Sequence, residues 1–359
     1  MHKMGSELDT QNMEKSLESG SNLAKGAETR ILIVGQTCWD DIVLPSGESY
    51  DRLGGSAYYA AMAIQHVAEI MHRRVSIDVW VPVGSDYRHR IEPRFDSSFI
   101  NSCFVAQQKT LRFKNHYISE SDWTRRTQEV LQRPDGRICT RNAPAEIKEK
   151  LNQGSYYQFA LLLPLTPYDF TDIAADTIPF LIHNNPHLHI GLELQGLLRD
   201  VHAGGKGVER RLCEVLPELL KQRSVCSLHA NIEEGLFLVR GLANRLGVTS
   251  TLNESSPTEI ALELCRHGIR YVGLTNGGHG SWIAWQSQHG KLCAQHCPTT
   301  DITSVVGILH ATGAGDTWFG VFAYALLGCR FDPISAGLLA TQFATIKCAY
   351  DGALGERAS

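Results

Sequence analysis

From Ile31 onward the chain alternates short apolar runs with longer segments of helical period, and this alternation restricts its folds more than any other feature. The runs ILIVG (Ile31 to Gly35), VSIDVWVPV, LRFKNHYIS, YQFALLLP, LHIGLEL, SVCSLHA, RYVGLTN and GSWIAWQ read as strands. Helical patterns fall between many of them: SAYYAAMAIQHVAEIM, PYDFTDIAADTIPFLI, GVERRLCEVLPELLKQR, NIEEGLFLVRGLANRL and PTEIALELCRHG. Such alternation predicts an α/β fold: a doubly wound, mostly parallel sheet covered on both faces. With 359 residues, 43% of them hydrophobic, the chain can bury a sizeable core. No internal repeat is visible.

Two stretches, near residues 41–53 and 108–130, break the pattern because they read as strands with no helix between them. DDIVLPSGESYDRLGG reads as two short strands about a turn at Ser46-Gly47. We expect a small β lid over one edge of the sheet. In an open α/β sheet the ligand crevice lies beyond the carboxyl ends of the strands, where such a lid closes. Residues 1–29 are polar and unpatterned, so they are expected to form a disordered leader before a domain spanning 30–359.

Several classes of function are disfavoured. The net charge is −4 and no basic block is present, which speaks against a nucleic-acid partner. The longest apolar run, FALLL (Phe159 to Leu163), is far shorter than the roughly 20 residues that cross a bilayer. The leader has no apolar signal-peptide region. A cytoplasmic location without a membrane partner is expected, and the ten cysteines then read as reduced core thiols. CAQHC (Cys293, His296, Cys297) has metal-type residues but no second cluster to complete four ligands.

The glycines separate candidate sites. GGKGVE lacks the Ser or Thr and the upstream glycine of a phosphate loop, and GQTCWD after the first strand lacks a dinucleotide fingerprint. HATGAGDTWFG (His310 to Gly320) is different, since it stands between ITSVVGI, read as a strand, and the helix TWFGVFAYALLG. Gly313 and Gly315 let the backbone turn and gather N–H groups at the positive end of a helix dipole, where an anion binds well. Asp316 then stands in the first helical turn. The plain alternative is a capping aspartate; beside bound phosphate, the carboxylate can accept the proton of an attacking hydroxyl.

This segment resembles the C-terminal signature of the PfkB, or ribokinase-like, carbohydrate kinases, D-T-T-G-A-G-D followed by a buried helix. Other segments are similar in the same order: GQTCWD to the first strand with its closing aspartate, LGGSAYYAAMAI to the G-G motif, VPVGSDY to V-G-x-D, NIEE to N-x-x-E and GLTNGGHGSWIAW to T-x-G-x-x-G. The resemblance covers about Arg30 to Gly352. It implies an ATP-dependent, magnesium-requiring kinase with Asp316 as base and Thr312, Gly313, Ala314 and Gly315 as anion hole. It also implies an acceptor clamp of Asp40, Gly54 and Gly55, and a nucleotide site of Thr275, Gly277 and Gly280. Asn231 and Glu234 would organise magnesium and phosphate, Glu234 indirectly. Singly, Asp40 could be an exposed turn residue, Gly54-Gly55 a hairpin end and Asn231 a helix cap.

The departures are informative. Tyr59 stands where these kinases carry an asparagine, so Tyr58, Tyr59 and the lid segment RFKNHY could face a cyclitol, a nucleoside or another ring-bearing alcohol, or the tyrosines could pack in the core. Arg199 reads as a solvated helix-start arginine or as a phosphate contact. His310 and Ala311 replace Asp and Thr in a neighbourhood that binds a potassium-like ion in many relatives. Imidazole is a poor ligand for such ions, although backbone carbonyls could still hold one, so little potassium dependence is expected, with the anion hole ordered by local packing or by His310 itself, or with His310 no more than a strand-end residue turned to solvent. The expected activity is phosphorylation of a hydroxyl on a small polyhydroxylated acceptor, sugar or sugar-like, by a monomer or homodimer. Inositol or nucleoside kinases of the same fold are alternatives. A non-catalytic ribokinase-like binding protein is the alternative of another class, against which the intact Asp316 and both turn glycines argue.

Overall fold

The computed structural model describes residues 28–119, 126–201, 208–211, 216–245, 247, 250–302 and 310–354. Fifteen strands occur among them. They are β1 (Thr29–Gly35), β2 (Cys38–Val43), β3 (Ser49–Gly54), β4 (Val75–Gly84), β5 (Ile100–Gln107), β6 (Leu111–Tyr117), β7 (Arg126–Gln132) and β8 (Phe159–Leu163), followed by β9 (His189–Glu193), β10 (Arg199–Val201), β11 (Val208–Arg210), β12 (Val225–Asn231), β13 (Tyr271–Thr275), β14 (Ser281–Gln286) and β15 (Leu292–Cys297). The helices that matter most to the site are α1 (Ser56–Ile70), α2 (Ala145–Asn152), α3 (Ile232–Arg245), α4 (Pro257–Arg266), α5 (Ala314–Ala323) and α6 (Pro333–Lys347).

Nine strands form one sheet in the order β15-β14-β13-β12-β9-β8-β1-β4-β5. From β13 to β5 neighbouring strands run parallel. β14 and β15 are antiparallel additions, because the links before each are too short to cross the sheet. The central strands are buried on both faces, which is why FALLL shows no alternation: all five residues are at 0% exposure. One core packs α1, α5 and α6 on one face of the sheet, and a second packs α2, α3 and α4 on the other. α5 sits so close to the sheet that a Cβ on Gly273 of β13 would lie 2.1 Å from the Trp318 ring.

The lid is a four-stranded sheet in the order β3-β2-β6-β7, with β2 and β6 parallel. Its strands cover Cys38 to Gly54 and Leu111 to Gln132, a few residues displaced from the expected 41–53 and 108–130. In β6 the buried residues Leu111, Phe113, Asn115 and Tyr117 alternate with more exposed ones, so one face of the lid is turned inward.

Some expectations are corrected. GVERRLCEVLPELLKQR is not one helix: Val208–Arg210 pairs antiparallel with Arg199–Val201, and among the described residues of the segment helix is found at Leu216–Leu220. β5 carries no clean period, since Ile100 and Cys103 are its buried positions, and it had not been read as a strand. α6 begins where Asp332 accepts from the N–H groups of Ile334 and Ser335, with Pro333 in the first turn. The leader up to residue 27, and most of ITSVVGI, lie outside the described residues. No helix among the described residues is long and apolar enough to cross a membrane.

Candidate active site

Between the lid and the carboxyl ends of β9, β12 and β13 lies a cavity of about 950 Å³, and α5 points its N-terminus into it. Gly313 caps α5 in the left-handed conformation, φ +83°, with no side chain bonded to the helix end. Ala314 N–H turns back to Ala311 O and Thr317 N–H to Gly313 O, and between them the N–H groups of Gly315 and Asp316 stand at the open end of the helix. A Cβ on Gly313 would lie 2.5 Å from the Tyr59 ring. Gly315 does not share the left-handed geometry. It lies in the helix, where a Cβ would stand 3.3 Å from His229 Cε1, so it serves close approach rather than turning.

Asp316 is on the first turn of α5, lining the cavity. Its carboxyl is pushed up to about 7, chiefly by removal from water and then by the charge of Glu193. Asp316 Oδ1, Glu193 Oε2 and Ser56 Oγ are all shut off from solvent without a hydrogen-bond partner. Asp316, Glu193 and Ser56 are close enough that each carboxyl's titration is shifted by the other two residues, and a buried oxygen left without a well-formed bond is one that a ligand, ion or water can engage. Glu193 ends β9 and is also raised to about 7, first by burial. Its Oε1 lies 3.1 Å from His229 Nδ1, and His229 Nε2 lies 3.4 Å from the Thr275 hydroxyl. Burial lowers His229 to about 4. The neutral ring therefore donates from Nδ1 to Glu193 and accepts at Nε2 from Thr275, while Trp318 and Phe319 stack on it at 5.3 and 5.4 Å.

At the lid end, Asp40 is 3% exposed and accepts from Cys38 Sγ at 3.4 Å. Burial raises its pKa, and the Arg52 and Arg126 guanidiniums oppose that shift. It is a buried strand residue, not an exposed turn residue. Gly54 does not border the cavity; it makes room for Asp40, whose Oδ2 would lie 2.1 Å from a Cβ there. Gly55, φ +103°, lines the cavity and opens α1. The lid meets the turn before α5 directly: Arg126 Nη1 donates to Thr312 Oγ1 at 2.7 Å, and the Tyr117 hydroxyl bonds the same oxygen. Asn115 Oδ1 accepts from Gln128 Nε2 at 2.9 Å.

Arg199 is partly buried at the start of β10 on the cavity wall and donates to Leu165 O at 3.3 Å; it is not a solvated helix-start residue. Tyr58 packs edge-on against Phe95 at 5.3 Å. Tyr59 borders the cavity, yet it is 1% exposed with its ring under Gly313 rather than open to an acceptor. His310 is not turned to solvent: its Nδ1 lies 3.4 Å from the Tyr50 hydroxyl and 3.3 Å from Asp351 Oδ1.

At the far end, Thr275 closes β13, and Gly277 (φ +49°) and Gly280 (φ +83°) bracket the turn into β14. Asn231 and Glu234 form a reciprocal cap on α3: Asn231 N–H donates to Glu234 Oε2 at 2.9 Å, and Glu234 N–H to Asn231 Oδ1 at 2.8 Å. The helix-cap reading thus describes their present bonds, and both still line the cavity. Beyond them the cavity continues between Thr299 to Ile302 and the α6 residues Thr341, Ala344 and Thr345, with Cys348 just past the helix end. Sequence reading missed Glu193, His229 and Arg126. The first two carry a signal, a polar residue near the carboxyl end of an apolar strand; Arg126 carries none.

No family profile matches the sequence, and no curated protein does. Solved structures do. A pyrophosphate-dependent kinase in the ribokinase family, complexed with a pyrophosphate analogue and myo-inositol, is similar at 15% identity and TM-score 0.66, over 90% of this chain and 97% of that one. Ribokinase from Giardia lamblia is similar at 15% identity and TM-score 0.66, over 91% and 94% of the two chains. Arabidopsis thaliana ribokinase, complexed with ribose and ATP, is similar at 16% identity and TM-score 0.58, over 91% and 95%. The chain has the ribokinase-like α/β fold.

Proposed function

We propose that the protein is a kinase that transfers the γ-phosphate of ATP to a hydroxyl of a small polyhydroxylated acceptor, a sugar or an inositol. The observation that carries this reading is Asp316: a carboxyl held near 7, with an unpartnered oxygen, in the first turn of a helix whose N-terminus faces the same cavity. Phosphoryl transfer asks a protein mainly to align hydroxyl and phosphate and to neutralise charge on the moving oxygens. Asp40 and the lid side chains would hold the acceptor with one hydroxyl on Asp316 Oδ1. Asp316 would take that proton, and the first-turn N–H groups of α5 would receive the developing charge. The guanidiniums of Arg126 and Arg199 lie close enough to Asp316 to be felt electrostatically, and they would add positive charge. Magnesium keeps most of its waters and takes few protein ligands, which fits the carboxylates of Glu234 and Glu193 as acceptors from its waters; when bound, it would neutralise donor phosphate charge. The cavity beyond Asn231 supports ATP over inorganic pyrophosphate, since it leaves room for a nucleoside past the phosphates.

The test is a consumption screen with ATP and with pyrophosphate across pentoses, hexoses, inositols and nucleosides. Turnover with ATP and a sugar or inositol is expected; binding without turnover of any acceptor would favour a non-catalytic protein instead.

A pH dependence follows from the raised carboxyls. A base must be ionised to accept a proton, so kcat/KM for the acceptor should rise about tenfold per pH unit below 7 and level off above it. The apparent pKa belongs to the Asp316 and Glu193 pair. Glu193→Gln removes the neighbouring charge that raises Asp316 and should move the limb to lower pH. A limb that stays in place would sink the pairing.

A further inference from the structure

The last residue of α6, Lys347, is 0% exposed although it carries an amine. Its Nζ donates to the backbone oxygens of His310 at 2.7 Å and Tyr350 at 3.5 Å. It also lies 5.3 Å from the centre of the Tyr59 ring, which Gly313 overlies. Among the described residues no carboxylate is at ion-pair distance from it; the nearby Asp351 pairs instead with Arg52 at 2.6 Å and with His310. A buried ammonium without a carboxylate is costly, and a lysine needed for packing alone would be replaced by an apolar chain without loss. Burial accordingly lowers Lys347 to about 7, with Arg52 adding to the shift.

We propose that Lys347 is a built-in cation: its ammonium, held by two backbone carbonyls and the face of Tyr59 directly behind the His310 to Gly313 turn, orders that turn for a donor phosphate and fills the place a free monovalent ion would take. Carbonyl oxygens are the ligands that replace the water shell of potassium, and an ammonium group satisfies them equally well. The aromatic ring adds a cation–π contact on the side of the turn. An anion arriving at the first turn of α5 supplies the missing negative charge and draws Lys347 to its charged form. Lys347 thus acts through the turn as a positioning residue. Within the turn it is the His310 carbonyl that Lys347 Nζ holds, and the Tyr350 carbonyl completes the pair from beyond α6.

The inference deepens the kinase reading and rests on it for the identity of the anion, so its test reads binding as well as turnover. Pyrophosphate and ATP are titrated calorimetrically into the wild-type chain, Lys347→Met and Lys347→Ala, each in potassium chloride and in tetramethylammonium chloride at equal ionic strength. Wild-type affinity should agree within about twofold in the two salts. Lys347→Met should bind both probes at least about tenfold more weakly in either salt. Lys347→Ala leaves a vacant carbonyl site, so it should be weak in tetramethylammonium and recover several-fold in potassium. A wild-type chain that tightens several-fold in potassium overturns the proposal, and this arm needs no variant to fold. So does a folded Lys347→Ala that binds like wild type in tetramethylammonium. If the wild-type chain binds the probes and no acceptor turns over, the kinase reading fails alone; if it binds neither, both fail.

Discussion

Replacing Asp316 by asparagine should lower turnover by at least about 100-fold, the effect expected of losing a general base, while the donor binds nearly as before. The substitution keeps the shape of the side chain and the cap of α5 and removes the ability to take a proton. It also relieves a burden. The carboxyl is held up to about 7 because burial disfavours its charge. A carboxyl raised from the ordinary aspartate range gives up folding free energy as pH rises from that range up to about 7. The amide has nothing to ionise there, so Asp316→Asn should melt no lower than the wild-type chain at pH 8 and should gain relative to it as pH rises from 4 to 8. Lost turnover with kept or raised stability separates chemistry from folding. A variant with near-normal turnover would remove Asp316 from the mechanism.

Gly313→Ala should damage both stability and donor binding. The backbone at +83° costs a non-glycine residue roughly 1–2 kcal/mol, and the new methyl would stand 2.5 Å from the Tyr59 ring. Overpacking of that kind typically adds about 1–3 kcal/mol. Relief requires Tyr59 to move, and Tyr59 is wedged between the turn and Lys347. A fall in melting temperature of several degrees and a donor affinity reduced at least about tenfold are expected. Gly278→Ala is the control for stability, because its Cβ would meet nothing within 4 Å and its backbone is not left-handed. Equal melting temperatures for the two variants would show that the turn is not under the constraint described.

The same residues show how far the sequence could be read. TGAGD announced a turn into a helix because glycines before an apolar helix are a local pattern, and α5 does begin at Gly313 in a left-handed conformation. Gly315 shows the limit of that reading, since its need for a bare backbone comes from His229, which belongs to another strand. RFKNHY was legible as a lid strand because no helix separates it from its neighbours, and its alternation in the structure turns Phe113, Asn115 and Tyr117 to the cavity. GVERRLCEVLPELLKQR was misread because its first residues gain their partners from Arg199–Val201, not from their own period. Tyr59 looked like a ring for the acceptor, whereas burial in α1 presses it under Gly313.

By itself the sequence determined the alternation of strand and helix, the doubly wound sheet, the lid and the turn before Asp316. These follow from side-chain period and from residues with special backbone freedom, which act over a few positions of chain. The tertiary structure alone decided what stands around Asp316. Glu193 and His229 reach it from the ends of separate strands, and Tyr117 meets Thr312 across 195 positions of sequence. Lys347 reaches the carbonyl side of the turn from the far end of α6. Contacts of this kind are set by how sheet and helices pack in space, and burial then sets the charge states of the groups brought together. No local pattern carries that information, because the low dielectric that raises Asp316 and lowers Lys347 exists only once the surrounding elements have closed around them.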